Sequence, residues 1–289
     1  MLASLPWYDL DEVRAETDQL WDVLKQHFRQ TGFSSVPETL NRQVAYERQW
    51  TSSAFFFGQA CGYDVRMAYA EHLQAVVTPC YDVPGCQGSQ YRSFVVVRAD
   101  SDFQSVEQLR GTRCVINTPT SHSGMNVLRA LVAPMHCDGR FFAKVSMSGA
   151  HERSLRMIQS GQVDVAAIDC VTYALLARYR PAELAGTRVI HHTNLVPAPP
   201  FVTASNASPA TVAGMRRAVV SALQHPDLAE ARSRLMISGV EVLPEDAYGP
   251  IESLDSDANH RDYYEIPGRD QYASMCTPGT ARPNGLARF

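Results

Sequence analysis

Apolar residues recur at helical spacing near the start of the chain and in short unbroken runs after it. The segment from about residue 10 to 31 is predicted to be an amphipathic helix that ends at Gly32. Its apolar positions are Leu10, Val13, Leu20, Leu24 and Phe28. The segment LASLP predicts a short strand before the helix. The runs AFFFGQAC (54–61) and AVVTPCY (75–81) are typical of buried strands.

Between residues 91 and 193 the pattern alternates regularly between strand and helix. Strands are predicted in RSFVVVRADS, RCVIN, AKVSMSG, QVDVAAIDC and TRVIHHT. Helices are predicted in GMNVLRALVAPM, HERSLRMIQSG and CVTYALLARYRP. Such alternation is typical of an α/β domain with a largely parallel sheet.

The remainder of the chain returns from this unit to the first. PAPPFVTAS (197–205) reads as an extended connector stiffened by prolines, and a helix capped by Ser208 is predicted from Pro209 to Gln224. A further helix is predicted from Asp227 to about Ser238, and a wrapping or partly disordered tail from Asp246. We therefore expect two lobes, one formed by 1–95 plus 196–289 and the other by 96–195.

Bulk composition limits the possible partners. The chain has 289 residues, 45% of them hydrophobic, so it can bury one large core or two smaller ones. A formal charge of −4 and a pI near 6.1 argue against binding to nucleic acids or anionic membranes. No apolar run approaches the roughly 20 residues of a membrane span.

The first residues, MLASLPWYDLDEVRAE, lack the basic and hydrophobic regions of a signal peptide. A cytoplasmic protein is therefore expected, with a periplasmic location as the alternative if a signal has been removed. The seven cysteines form no CxxC pair, which argues against structural zinc. Cys80 and Cys86 bracket the loop CYDVPGC, where a disulfide is conceivable, although reduced thiols are favoured.

The segment TPTSHSGMN (118–126) places several hydroxyl groups where a strand gives way to a helix. Unpaired N–H groups and the helix dipole make a helix start suitable for an anion, and the hydroxyls of Ser121 and Ser123 add donors. Ordinary capping by one serine is the simpler alternative. A serine nucleophile is disfavoured because the GxSxG spacing is absent.

Other polar side chains follow neighbouring strands, where ligands of open α/β sheets bind. His151 follows AKVSMSG and can donate a hydrogen bond to an anion in either protonation state. Asp169 closes the buried strand predicted in QVDVAAIDC, and it can cap the next helix or bind a cationic or hydroxyl group of the ligand. Tyrosines near strand ends combine a flat apolar face with a hydroxyl donor. They are Tyr8, Tyr63, Tyr91 and Tyr173.

The ordered series of strand, SxSG, SG-x-H, strand and Asp resembles the phosphate- and phosphonate-binding proteins of ABC transporters, the PhnD-like branch of the type II periplasmic-binding fold. The resemblance covers about residues 90 to 205, in VEQLRGTRCVINTPTSHSGMN and VSMSGAHERSLRMIQSGQVDVAAIDCVTYALL among others. It implies two lobes, each a mixed sheet flanked by helices, that close on a ligand.

The same resemblance implies which residues contact a small anionic ligand. Ser121, Ser123 and the backbone of His122 would hold the anion, and His151 would lie beside them. Tyr8, Tyr63 and Tyr91 would come from the other lobe, while Asp169 would face the far side of the ligand. His122 and Met125 depart from the usual SSTSGY-like version, and the expected ligand is phosphonate-like, phosphate-like or a carboxylate. An ABC permease is the expected partner if the protein is exported, and no cofactor is implied.

Three classes of function follow from these residues. A solute-binding protein is favoured. The alternative is a cytoplasmic enzyme of the same fold that acts on a small carboxylated or phosphorylated metabolite, with His151 and Asp169 as its acid and base. A ligand-sensing module ranks third because no helix for a protein partner stands out.

Overall fold

The computed structural model describes residues 1–264 and 266. One five-stranded sheet combines both ends of the described chain, in the spatial order β1, β2, β11, β3, β12. Its strands are β1 (Leu2–Ser4), β2 (Phe55–Gln59), β3 (Leu73–Tyr81), β11 (Phe201–Ala204) and β12 (Ile237–Glu241). β1 pairs with β2 in parallel, whereas β11 and β12 pair antiparallel with their neighbours.

A second five-stranded sheet is formed by the middle of the chain, in the order β7, β6, β8, β5, β9. Its strands are β5 (Ser93–Arg98), β6 (Arg113–Ile116), β7 (Lys144–Met147), β8 (Val165–Asp169) and β9 (Thr187–His192). β6 is parallel to β7 and β8, but β5 is antiparallel to β8 and β9. The sheet is therefore mixed, as the family resemblance implied, and less parallel than the alternation of elements indicated.

The two crossings between the sheets pair with each other. β4 (Gln90–Tyr91) lies on the outward crossing and β10 (Val196–Pro197) on the return, and Val196 is opposite Tyr91 in an antiparallel ribbon. The segment PAPPFVTAS is thus more than a connector, because its second half is β11, which lies between β2 and β3.

Helices cover the sheets. They are α1 (Arg14–Gln30), α2 (Tyr46–Trp50), α3 (Val127–Val132), α4 (His151–Gln159), α5 (Cys170–Tyr179), α6 (Pro209–Leu223), α7 (Ala229–Arg234) and α8 (Gly249–His260). The predicted cap of α6 is confirmed, since the Ser208 hydroxyl accepts from the Thr211 N–H. Long, strongly periodic segments were therefore predicted well.

Two expectations for the last part of the chain are wrong. The helix predicted to about Ser238 ends at Arg234, because Met236 takes a left-handed backbone (φ 58°) and the next residues join the first sheet as β12. The expected tail from Asp246 instead contains α8, which packs on α3. Residue 265 and residues 267–289 of that tail lie outside the described residues.

The buried core is continuous between the sheets: Phe57 and Val77 of the first belong to the same cluster as Val96 and Ile168 of the second. Among the described helices, none is long and apolar enough to cross a membrane. The division of the chain into lobes at 1–95 plus 196–289 and 96–195 stays a prediction.

Candidate functional site

A cavity of about 230 Å³ opens beside the ends of β6 and β8. Its wall combines apolar side chains from the N-terminal segment with polar groups at three helix starts. The lining residues are Pro6, Trp7, Leu10, Tyr46, Cys61, Asp64, Asn117, Thr118, Thr120, Ser121, Ser123, Gly149, Ala150, His151, Glu152, Asp169, Thr172 and Leu176. Ser121, Ser123, His151 and Asp169, which the sequence singled out, thus share one cavity.

The chain enters the helix after β6 through a single π-helical turn, His122–Asn126. Ser121 caps this turn: its backbone is extended, and its hydroxyl accepts from the Gly124 N–H at 3.0 Å. A Cβ at Gly124 would lie 2.0 Å from Oδ1 of Asn117, so any larger residue would have to displace the Asn117 side chain. The simpler alternative of capping is therefore observed at Ser121, while the hydroxyl of Ser123 remains on the cavity wall.

Ser123 and His151, from two different predicted motifs, lie within hydrogen-bond distance of each other. His151 is the first residue of α4, and its Nε2 lies 2.9 Å from Oγ of Ser123. Burial lowers the pKa of His151 to about 3, so the imidazole is neutral at pH 7. The pair therefore presents a hydroxyl to the cavity beside an uncharged ring.

Asp169 has its expected place at the end of β8 and caps α5. Its Oδ1 accepts from the N–H groups of Val171 and Thr172, at 2.7 and 2.9 Å. Its Oδ2 accepts from the Tyr8 hydroxyl at 2.9 Å. Burial raises the pKa of Asp169 to about 6 even though these hydrogen bonds lower it. The carboxyl group is thus held by donors, none of them a cation.

Tyr91 and His122 lie behind the cavity wall. Both are buried, with ring centroids 6.3 Å apart. Burial raises the pKa of Tyr91, and a hydrogen bond with Ser123 lowers it, which links this tyrosine to the motif. The His122 ring bonds through Nδ1 to the Asn126 amide at 3.3 Å, and burial lowers its pKa to about 3.

Tyr63 and Tyr173 lie away from this cavity. The Tyr63 hydroxyl donates to Asp255 of α8 at 2.9 Å. Tyr173 packs edge-on against Phe94, with ring centroids 5.4 Å apart, and lines a different cavity of about 830 Å³. The structure thus does not bring these two tyrosines together with Ser123, and their contact with a ligand stays a prediction.

The cavity also contains groups that sequence reasoning missed. Asp64 is buried, and burial raises the pKa of its carboxyl group to about 6, opposed by hydrogen bonds with Cys61 and Thr120. Trp7 and Tyr46 form an aromatic pair, with centroids 5.1 Å apart. The feature of the sequence that could have indicated Asp64 is the position of CGYD (61–64), directly after a buried strand.

Electrostatically, the wall is acidic. Asp64, Glu152 and Asp169 line it, and no lysine or arginine is found among the described residues of the wall. Glu152 is neutralised by ion pairs with Arg156 and Arg180. Within residues 1–264, the buried Asp64 and Asp169 form no ion pair with a lysine or arginine. Nowhere in 1–264 do three or more His, Cys, Asp or Glu side chains form a group suited to a metal ion.

Solved structures define the class of fold. A binding-protein component of an ABC phosphonate transporter from Pseudomonas aeruginosa superposes with a TM-score of 0.71 at 17% identity, covering 95% of this chain and 91% of its own. PhnD1 from Prochlorococcus marinus, in complex with methylphosphonate, gives a TM-score of 0.67 at 12% identity, with coverages of 89% and 97%. A Xanthomonas citri protein bound to ATP gives 0.68 at 17%, with coverages of 91% and 98%. The chain therefore has the type II periplasmic-binding fold that the sequence predicted.

The family is shown by the sequence itself. Residues 2–248 match the profile of the periplasmic phosphonate substrate-binding proteins of ABC transporters, and the chain belongs to this family. The prediction of a solute-binding protein for a small anionic ligand is thereby confirmed. Curated protein sequences gave no match. The family is periplasmic, so the expectation of a cytoplasmic protein gains no support from it.

Proposed function

We propose that this protein is a periplasmic receptor that binds a small phosphonate in the 230 Å³ cavity and delivers it to an ABC permease. The observation that carries the proposal is the Ser121–Ser123 turn, which presents a helix start and a serine hydroxyl to the cavity. Membership in a periplasmic phosphonate-binding family supports both the location and the permease as partner.

The Ser123–His151 pair suits an acceptor ligand. If Nε2 of the neutral imidazole carries the proton, His151 donates to Oγ of Ser123, and the hydroxyl hydrogen of Ser123 can turn from Tyr91 to a phosphonate oxygen. A neutral histidine avoids a buried positive charge when the site is empty. Hydrogen bonds to a charged group contribute about 1.5–3 kcal/mol each, so a few donors suffice without lysine or arginine.

The acidic side of the cavity favours a ligand with a positive group at its other end. A plain dianion would lie near Asp64 and Asp169, which have no cationic partner in the described part of the chain. An ammonium group would instead be attracted by these carboxylates and by the faces of Trp7 and Tyr46. We therefore favour an aminoalkylphosphonate over a methylphosphonate or a simple carboxylate.

The same contacts weigh against the enzyme alternative. His151 bonds to Ser123 and Asp169 bonds to Tyr8, so the suggested acid and base are committed to different partners. A pKa of about 3 also leaves His151 a poor base at pH 7.

Calorimetric titration tests the oxyanion part of the proposal. Wild type is expected to bind aminoethylphosphonate, and Ser123→Ala to bind it about 10- to 100-fold more weakly. Ser160→Ala is the matched control, because among residues 1–264 this exposed hydroxyl bonds only to the Met157 carbonyl. Equal affinity of Ser123→Ala and wild type would refute the role of the motif.

A second calorimetric titration tests the proposal that the acidic side of the cavity attracts a positive group of the ligand. Asp64→Asn is expected to weaken binding of aminoethylphosphonate and to strengthen binding of methylphosphonate, because the lost charge attracts one ligand and repels the other. If Asp64→Asn changes the affinity for both ligands in the same direction, the ammonium group of the ligand does not lie beside Asp64.

A further inference from the structure

The crossing from the first sheet to the second carries a cysteine that lies against another cysteine. Cys86, half-buried between β3 and β4, has its Sγ 3.5 Å from Sγ of Cys170. Cys170 is fully buried, is the first residue of α5 and directly follows Asp169. The two cysteines are 84 positions apart in the sequence, so their meeting is a tertiary contact.

Gly85 explains how the two backbones come so close. Its φ of +100° is a left-handed conformation, and a Cβ there would lie 2.7 Å from Cβ of Cys170. The bonded S–S distance is about 2.05 Å, so the sulfurs need to approach by roughly 1.5 Å more. Side-chain rotation of the half-buried Cys86 can supply a movement of this size.

The pair that the loop CYDVPGC suggested is not the pair that the structure brings together. Cys80 faces the carboxylate of Glu241, with its Sγ 3.6 Å from Oε1. Cys61 faces the carbonyl of Thr120 instead. Within 1–264, Cys86 and Cys170 are the cysteines in mutual contact.

We propose that Cys86 and Cys170 form a disulfide when the protein is exposed to a disulfide oxidant. The proposal rests on the periplasmic location given above, where such oxidants keep protein thiols oxidised, and not on the identity of the ligand. The thiolate of Cys86, the more exposed residue, attacks one sulfur of the oxidant and releases the other as a thiol. The thiolate of Cys170 then attacks Sγ of Cys86 and releases the second thiol. Two protein thiols become one disulfide, and the oxidant is reduced to two thiols.

The bond would tie the crossing between the sheets to the helix that Asp169 caps. Because it closes a loop of more than eighty residues, it restricts the unfolded chain strongly and raises the melting temperature. The hydrogen bond with Cys170 and burial raise the pKa of the Cys86 thiol, which keeps its thiolate scarce at neutral pH. An excess of oxidant and several hours are therefore appropriate.

Peptide mapping under non-reducing conditions tests the proposal. The purified full chain is incubated with excess oxidised glutathione, alkylated, digested with trypsin and analysed by mass spectrometry. We expect peptide 67–92, with Cys80 alkylated, joined to peptide 157–178, with a mass two hydrogens below the sum of these two peptides when Cys86 and Cys170 are reduced. Oxidised wild type should also have at least two fewer titratable thiols than reduced wild type, since exposed Cys137 can form a mixed disulfide with glutathione, and melt about 5 °C or more higher.

Cysteine-to-serine variants identify which two cysteines form the disulfide. Cys80→Ser should retain the joined peptide and the melting shift, whereas Cys86→Ser and Cys170→Ser should lose both. If Cys170→Ser does not fold, Cys86→Ser decides the same question, since its side chain is half-buried. Absence of the joined peptide in oxidised wild type, or its loss in Cys80→Ser, overturns the proposal. Binding of aminoethylphosphonate by the reduced protein tests the proposed function separately.

Discussion

At the scale of single residues, the site buries two histidines and two aspartates whose pKa values move in opposite directions. Burial lowers the pKa of His122 and His151 to about 3 and raises that of Asp64 and Asp169 to about 6. In each case burial shifts the pKa in the direction that extends the pH range of the neutral form, because a buried charge without an ionic partner costs free energy. At pH 7 the histidines are neutral and the aspartates are largely ionised.

Buried histidines make stability depend on pH in a predictable direction. Histidine in the unfolded chain titrates near 6.5, so below that pH the unfolded state binds protons that folded His151 does not. Its contribution to stability is present above pH 6.5 and is lost as the pH falls toward 3. The raised pKa of Asp64 has the opposite effect: its contribution is present below about pH 4 and is lost as the pH rises through 6.

We predict that His151→Gln makes stability less sensitive to acid. Between pH 6 and 4 its free energy of unfolding should fall less steeply than that of wild type, by up to about 1.4 kcal/mol per pH unit. Urea denaturation at several pH values measures this slope. In Asp64→Asn the free energy of unfolding should fall more steeply than in wild type over the same pH range. Equal slopes in all three proteins would contradict the neutral state of His151.

At the scale of elements, the π-helical turn and α8 depend on contacts that local periodicity does not encode. In the turn, the N–H groups of both Met125 and Asn126 donate to the carbonyl of Ser121, at 3.1 and 2.9 Å. This geometry leaves Gly124 against the side chain of Asn117. Substitutions at Gly124 should therefore affect the fold and the site together.

Gly124→Ala is expected to destabilise the protein by about 1–3 kcal/mol and to weaken ligand binding, because the added methyl group displaces Asn117 from the end of β6. Thermal denaturation and calorimetric titration measure the two effects. Gly239→Ala is the matched control, since no atom lies within 4 Å of a Cβ there. Unchanged stability of Gly124→Ala would show that the turn can relax.

Helix α8 is held by a buried ion pair. Nη1 of Arg129 lies 2.5 Å from Oδ1 of Asp255, Asn259 contacts the same guanidinium, and Tyr63 donates to the same carboxylate. The Arg129 side chain is only 3% exposed. Its charge therefore depends on Asp255 for compensation.

Asp255→Ala should cost about 3–5 kcal/mol of stability, because it leaves the Arg129 charge buried without its partner. The control is Glu252→Ala on the same helix, which breaks a partly exposed pair with Arg66 and should cost less than about 1 kcal/mol. Chemical denaturation compares the two variants. If Asp255→Ala destabilises the protein as little as Glu252→Ala does, the buried ion pair of Arg129 with Asp255 contributes little to the stability of the folded state.

At the scale of the whole molecule, two crossings join the sheets, and the site lies where residues from both sides meet. Tyr8, which follows β1 of the first sheet, donates to Asp169 at the end of β8 in the second. An ion pair of Arg180 with Glu12 links the segments beyond α5 and before α1. These contacts favour an arrangement with the two sheets close together.

Tyr8→Phe should shift the molecule toward an open arrangement. Loss of the hydroxyl is expected to increase the radius of gyration of the unliganded protein and to weaken binding about tenfold, because closure loses one charge-assisted hydrogen bond. Small-angle scattering and calorimetry provide the measurements. Tyr81→Phe is the control, since that hydroxyl accepts from Gln59 within the first sheet. If Tyr8→Phe has the same radius of gyration as wild type, the Tyr8 hydroxyl does not hold the two sheets together.

Much of the fold and part of the site could be predicted because their signals are local. Strand ends and serine- or glycine-rich turns are read directly from neighbouring residues, and these placed Ser121, Ser123, His151 and Asp169 on one edge of a sheet. Trp7, Tyr46 and Asp64 were missed because the first part of the chain reaches the cavity through tertiary packing. The segment after Arg234 was misread because the left-handed Met236 has no clear local signal.

The sequence by itself determined the alternation of strands and helices, the hydroxyl-rich helix start after β6 and the family, since each is encoded over a few neighbouring residues. Only the tertiary structure decided which distant groups meet. Tyr63 joins Asp255 across 192 positions, and Cys86 meets Cys170 rather than Cys80. Such pairings depend on how the sheets and helices pack, and no local pattern of hydrophobic and polar residues contains that information.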